Sequence, residues 1–579
     1  MRVNPIIAAM ALLALPATAG AYIYSTNFNS GNMPRNITVA DAGQTQPVKS
    51  DYRVGYTTNG WIVELVDGGS YSAVSPTHSH SGLPESNLLT LPTLAIEGET
   101  PVLRWRTMSI HPSLPEAYRV LVAEPGGEQT EIFSTNAEAS VWQYHVADLS
   151  AWTGKEVNIT FECNSTNKYM LALDDITVGD PEDTMFQVQN TTPEFTGYGN
   201  GTARITGSVL NVGKAIEADR LVLLVDGAEA DAAKPDHAAW LPGETVDYDF
   251  AMPLTLNTRK AYTIAAVDTE GNTTTLYEGS QYCSNFARTL LVDEGTGMWC
   301  NNCPEGTLVL QELERRFGDN IIVLQSHIND ILACDDYNKV LAFRAVPRMI
   351  VNRNKSTEGS SAVNFEREYD IPTDMALEVS ACTVEDDMLH VSVNVYTAED
   401  TDNTSDRYRV GYTLTTDIKS TVPNSTYYQS NNLSGPKSRQ FYYLPTTVIS
   451  DLAPMENVVL TSENAFDGIK GALAGRLEAR EAHEVSWSMQ RPELLEDWNK
   501  ARIVAYIIDS ETGRVVNAAA HRVKDEVVTS VGSIAVDPRD EAAADPAEYY
   551  NMQGARVTYP GPGIYIVRRG SKVTKEIVK

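Results

Sequence analysis

Over most of its length the chain alternates short apolar runs with turn clusters and carries no long helical period, a pattern that fits stacked β-sheets and excludes a helical bundle. From Tyr22 to about Asp180 such runs include Val102-Leu103-Arg104-Trp105-Arg106 and Tyr118-Arg119-Val120-Leu121-Val122. A β-sandwich is expected there. Between 184 and about 280, the run Gly207-Ser208-Val209-Leu210-Asn211-Val212-Gly213 and a hairpin turn at Asp226-Gly227 predict a small β spacer. Beyond Ile371 strict alternation returns: Leu389, Val391, Val393 and Val395 share one face, and His390, Ser392 and Asn394 the other. That pattern predicts another sandwich, to about Arg522. From Arg288 to Ile371 the order changes to strand, loop, helix, strand, helix, strand, which is βαβ logic.

A length of 579 residues corresponds to roughly three to five domains. The formal net charge of -31 repels a phosphate backbone and an anionic leaflet alike, so no nucleic-acid partner is expected. Ile6 to Leu15 follows Arg2 and leads to Pro16-Ala17-Thr18-Ala19-Gly20, the layout of a secretory signal peptide over 1–19. No cysteine stands at that junction to suggest a lipoprotein anchor, and no later run approaches the ~18 apolar residues of a spanning helix. An exported chain keeps its disulfides, yet six cysteines are too few for a disulfide-dense scaffold.

The chemistry concentrates in one constellation. Thr289 to Glu294 reads as a buried strand, and Trp299-Cys300-Asn301-Asn302-Cys303-Pro304 follows. A helix comes next, with Val309, Leu310, Leu313 and Phe317 on one face, Pro304 suited to its first turn and Gly318 able to end it. The cysteines therefore sit at a helix N-terminus, where unpaired N–H groups and the positive dipole end favour a thiolate and lower its pKa from ~8.5. On this reading Cys300 attacks and Cys303 resolves. The alternative is a permanent structural disulfide.

Several stretches resemble known families. Phe28-Asn29-Ser30-Gly31-Asn32-Met33-Pro34, Asn87-Leu88-Leu89-Thr90-Leu91-Pro92 and Leu171-Ala172-Leu173-Asp174-Asp175-Ile176-Thr177-Val178 resemble the jelly-roll modules of cleaved-adhesin and choice-of-anchor proteins, which implies binding of a protein or glycan ligand. The strand, Trp-Cys-x-x-Cys-Pro turn and helix resemble the thioredoxin fold. That likeness implies that Glu294 is the buried carboxylate shuttling the resolving thiol's proton, and that Pro347, after Val346, is the family's cis-proline. The module looks most like the thioredoxin-like units of exported outer-membrane proteins that an immunoglobulin-like domain follows. Little room remains from Pro347 to Ile371 for a full terminal hairpin and helix, so neighbours are expected to complete the unit. The neutral Asn301-Asn302 pair fixes no redox poise.

The end of the chain, with Asn551-Met552-Gln553-Gly554, Gly563-Ile564-Tyr565-Ile566-Val567 and the terminal Lys579, resembles the C-terminal sorting domain of type IX secretion. This implies export across the outer membrane of a Gram-negative bacterium by that machinery, then release or attachment to surface lipopolysaccharide. The expected organisation is a multidomain, mainly β chain with one α/β unit: signal peptide 1–19, jelly roll 22–182, immunoglobulin-like spacer 184–282, thioredoxin-like domain 283–370, immunoglobulin-like sandwich 371–523, linker 524–547 and sorting domain 548–579.

Asp174 and Asp175 are expected either to hold Ca²⁺ or to form a solvated turn. Zinc is not expected at Cys300, Cys303, His327 and Cys334, because no second paired-ligand motif accompanies them. Cys334 has possible partners in Cys283 and Cys382, and Cys163 reads as a buried thiol. His78, His80 and His111 are expected to be exposed. No motif for hydrolysis or nucleotide binding occurs. Two functions stay open: a surface binding or adhesion protein with a passive CxxC module, and an extracytoplasmic thiol–disulfide oxidoreductase.

Overall fold

The computed structural model describes residues 22–43, 45, 47–53, 60–66, 70–79, 81–194, 202–233, 239–359, 362–419, 426–435 and 440–524, together with strands at 548–550, 556–557, 563–569 and 572–578. The signal peptide, His80 and the linker from 525 onward lie outside the described residues. Alternating burial produces a chain that is mainly β.

Residues 22–179 form two six-stranded antiparallel sheets. One holds Tyr22–Thr26, Ile62–Val66, Ser70–Pro76, Val102–Ser109, Gln143–Asp148 and Met170–Gly179. The other holds Thr38–Asp41, Asn87–Thr90, Leu94–Ala95, Tyr118–Ala123, Thr130–Thr135 and Glu156–Cys163. Inward side chains such as Trp105, Leu173, Val120 and Phe161 meet in one core between them. The spacer is a three-stranded sheet facing a four-stranded one around Ile205, Leu223, Trp240, Phe250 and Ile264. Its Asp226-Gly227 hairpin has both residues at positive φ, 51° and 84°, as a two-residue primed turn requires.

The α/β unit begins with β1 (Leu290–Thr296), α1 (Cys303–Phe317), β2 (Ile321–His327), α2 (Asp335–Leu341) and β3 (Arg348–Val351). Its sheet continues into β4 (Tyr408–Ile418), β5 (Met455–Val459), β6 (Ala501–Asp509) and β7 (Arg514–Arg522), in the order β3-β1-β2-β5-β4-β6-β7. β1 runs parallel to β2 and β2 parallel to β5, with Gln325 opposite Val458. Residues far beyond Ile371 thus extend the sheet that the βαβ segment starts. α1 covers Leu290, Val292, Ile321 and Val323, while Val504, Tyr506 and Ile508 pack with Tyr337 of α2 on the opposite side. The sheet of Met375–Glu385, Met388–Thr397 and His483–Gln490 buries Leu389, Val391, Val393 and Val395 against Ile503, Ala505 and Ile507.

A loop after β4 fastens the first sandwich to this body. Phe441, Tyr443, Leu444 and Leu452 enter one cluster with Tyr52, Val74, Met108 and Tyr169. His78 and His111 lie in that joint, 0% and 2% exposed, contrary to the expectation of solvent-facing loops. His78 Nδ1 is 2.9 Å from Asp51, and His111 Nε2 is 2.6 Å from the carbonyl of Leu452. Polar neighbours in sequence disguise an interface made by residues hundreds of positions away. At the C-terminal end, Glu548–Tyr550, Arg556–Val557, Gly563–Arg569 and Lys572–Val578 pair in a four-stranded antiparallel sheet, one strand more than the sequence suggests. Among the described residues no helix is long and apolar enough to cross a membrane.

Candidate functional site at the Cys300–Cys303 loop

All seven residues of β1 are buried, which delivers Glu294 into the interior beneath the turn that follows. The turn closes through Cys300 N–H to Gly297 O at 3.0 Å and Cys303 N–H to Cys300 O at 3.3 Å, and α1 starts at Cys303 with Pro304 in its first turn. Gly318, at φ 53°, ends the helix. Cys300 and Cys303 form a disulfide with Cα atoms 5.4 Å apart. The Val346–Pro347 bond is cis, and Cys300 Sγ stands 3.9 Å from the Val346 carbonyl. β3 pairs Met349 with Glu294, which draws Pro347 to the same place.

Glu294, Gly306 and Pro347 converge there. A Cβ built on Gly306 would collide with Glu294 Oε1 and come within 2.9 Å of Pro347 Cβ. Glu294 Oε2 accepts a hydrogen bond from Gln325 Nε2 at 3.0 Å, whereas Oε1 has no partner among the described residues. Burial pushes the Glu294 carboxyl up to about 8 despite the opposing bond from Gln325, so it can hold and release a proton near neutral pH. With Oε2 engaged by the Gln325 amide, Oε1, the oxygen against the first turn of α1, is the one free to take up a proton.

Sequence reasoning missed two parts of this site. Gln325 interrupts the apolar run Ile321 to Leu324 and stands opposite Glu294 in the parallel register, a signal that was available. The strand Tyr428–Ser430 and the residues after it gave none. Gln429 Nε2 donates to Cys300 O at 3.0 Å and Gly297 O at 3.4 Å, Ser430 N–H to Met298 O at 2.8 Å, and Asn432 N–H to Asn301 O at 2.9 Å. Cys300 and Cys303 are 5% and 1% exposed, while Trp299 beside them is 48% exposed. A polar cavity of about 20 Å³ is lined by Gln325, His327, Gln429 and Gln440 together with His111 of the first sandwich.

His327 is buried and engaged by Asp330. Its Nδ1 lies 2.9 Å from Asp330, whose carboxylate also accepts the Met298 N–H. Burial opposes the charge on Asp330, but His327 and those amides outweigh it and hold the carboxyl below its usual value. Cys163, Cys334 and Cys382 form no disulfide, so neither expected Cys334 pairing occurs, and Cys163 is buried as expected.

Asp174 and Asp175 close on a guanidinium: Arg106 Nη2 is 2.9 Å from Asp174 and Nε 3.0 Å from Asp175, with Ser72 also donating to Asp174. The structure gives these carboxylates a protein cation in the place assigned to calcium. The pair is no solvated turn either, since Asp174 is 1% exposed. Among the described residues no group of three His, Cys, Asp or Glu side chains is arranged to hold a metal.

No family model matches the chain, and no curated protein matches it. It is similar to the solved structure of the K3 cleaved adhesin domain of Lys-gingipain from Porphyromonas gingivalis W83, at 15% identity over 27% of this chain and 97% of that one, with a TM-score of 0.21. It is also similar to HBP35 of Porphyromonas gingivalis, at 13% identity over 51% of this chain and 100% of that one, with a TM-score of 0.28. A third likeness is to the CBM22-1 xylan-binding domain of Paenibacillus barcinonensis Xyn10C, at 15% identity, 28% and 97% coverage and a TM-score of 0.20. Likenesses this weak assign no activity.

Proposed function

We propose that this chain is an exported surface protein of the binding type whose α/β unit is a thioredoxin-like thiol–disulfide centre. The observation that carries the reading is the carboxyl of Glu294, buried with Oε1 unpartnered, against the first turn of the helix that begins at Cys303 and beside cis-Pro347. In the reduced protein the Cys300 thiolate attacks a substrate disulfide and releases one substrate thiol. Glu294 then takes the proton of Cys303, whose sulfur attacks Cys300. As that bond forms the second substrate sulfur is expelled and takes the proton on from Glu294, and the first takes one from water. The substrate leaves as a dithiol, while the Cys300–Cys303 disulfide holds the two electrons' worth of oxidation. Insulin reduction tests this: the native protein turns over, Cys300→Ser does not, and Cys303→Ser accumulates mixed disulfides through Cys300. Equal inactivity of native protein and Cys300→Ser defeats it.

A second reading keeps the disulfide as a passive brace in an adhesion protein, and one observation favours it. Both sulfurs are nearly covered, and the chain's own strand holds the loop. It predicts no thiol turnover in any variant. In either reading the first sandwich is a jelly-roll module for a protein or glycan ligand. The last four strands belong to a type IX sorting domain that hands the protein to its secretion machinery, for release or attachment to lipopolysaccharide. Deleting 549–579 tests the sorting assignment, since a truncated chain that still reaches the exterior overturns it.

A further inference from the structure

The loop between β1 and α1 offers a row of carbonyl oxygens, and this chain itself engages them. Met298 O and Asn301 O accept the backbone N–H groups of Ser430 and Asn432, two residues apart, the spacing at which a strand presents N–H groups on one edge. Beside them the Gln429 amide reaches the carbonyls of Gly297 and Cys300. The segment is fixed from behind by Asn431, which is 1% exposed and donates to the carbonyls of Phe441, Leu444 and Pro445. Among the described residues its strand pairs only with the three residues Thr447–Ile449, and a two-stranded ribbon of that length is marginal on its own.

We propose that the carbonyls of 297–301 are a docking edge for extended polypeptide, and that residues 429–432 are its built-in occupant, displaced when a polypeptide binds. Backbone N–H groups at strand spacing make two of these four bonds and one side-chain amide the other two, so the edge recognises extended chain, as in strand addition. The inference rests on the thiol–disulfide reading for its purpose, though not for its geometry. With the occupant seated, Cys300 is covered; with it displaced, a polypeptide disulfide gains access to the sulfur.

Alkylation of Cys300 in the reduced full-length protein, read by mass spectrometry of its peptide, tests this with iodoacetamide as probe. Asn432→Pro removes the donating N–H and Gln429→Ala removes the amide, whereas Asn432→Ala keeps the backbone donor. The first two are expected to react at least tenfold faster than native protein, and Asn432→Ala at the native rate. Rates within twofold of native in all three, with native thermal unfolding, overturn the proposal. In native protein, hydrogen exchange at Ser430 and Asn432 is expected to accelerate when cysteine-bearing insulin B chain is added in excess. Unchanged exchange there contradicts displacement even if a variant fails to fold. Faster alkylation without any insulin turnover refutes the redox reading and leaves the docking edge standing.

Discussion

Glu294 and Gly306 touch. The carboxyl oxygen lies where a Cβ on Gly306 would be, so the helix carries glycine in its first turn although alanine is intrinsically better by about 1 kcal/mol. Gly306→Ala is therefore expected to destabilise, by ~1–3 kcal/mol in urea unfolding, because a buried carboxyl, and not a flexible surface chain, must move. A gain in stability contradicts the packing of Glu294 under the helix.

The same carboxyl makes stability depend on pH. Its folded pKa, about 8, lies above its unfolded value, so between the two the folded state binds the extra proton. The sign follows: stability is greatest at low pH and falls as pH rises through that window, by up to roughly 5 kcal/mol for this one group. Glu294→Gln, which has no proton to lose, is expected to flatten that part of the profile and to exceed the native protein at pH 9. Parallel profiles for the two proteins count against a buried, protonated Glu294.

Arg106 supplies the positive charge for Asp174 and Asp175, and burial together with Asp175 pushes the Asp174 carboxyl up to about 7. Arg106→Met leaves two adjacent carboxylates without a cation and is expected to cost about 3–5 kcal/mol at pH 8. The cost shrinks at pH 5, where Asp174 accepts a proton. Millimolar calcium is expected to leave the native melting temperature unchanged, and a clear rise contradicts the assignment of Arg106 as the resident cation.

The joint between the first sandwich and the α/β body responds to pH in the same sense through His78. Burial disfavours the charged form of His78, but Asp451 and Asp51 outweigh it and raise its pKa, while burial drives His111 beside it down to about 4. Stabilisation by charged His78 is present below ~6.5 and lost as pH rises through its folded value. Asp451→Asn is expected to lose about 1 kcal/mol relative to native protein at pH 5.5 and little at pH 8.5. An equal loss at both values excludes the charged pair.

Local chemistry was legible in the sequence and long-range pairing was not. The α1 stripe with Leu310 and Leu313 buried, its stop at Gly318 and the alternation of Leu389 to Val395 are all encoded within a few residues. The position of Glu294 below the cysteine turn is what the likeness to the thioredoxin fold implies. Nothing local announces that β5 lies parallel to β2, that Gln429 reaches Cys300 across more than a hundred residues, or that His78 meets Asp451. Asp174 and Asp175 show the reverse failure: their own segment invites a metal, while Arg106 on the adjacent strand provides the charge.

The central claim concerns the sulfur of Cys300, so its own titration is the most direct test. The pH dependence of Cys300 alkylation in the reduced full-length protein is expected to show a midpoint below the ~8.5 of an ordinary thiol, because the N-terminal end of α1 stabilises the anion. A midpoint at or above that value contradicts a nucleophilic Cys300 and leaves the disulfide as a structural brace.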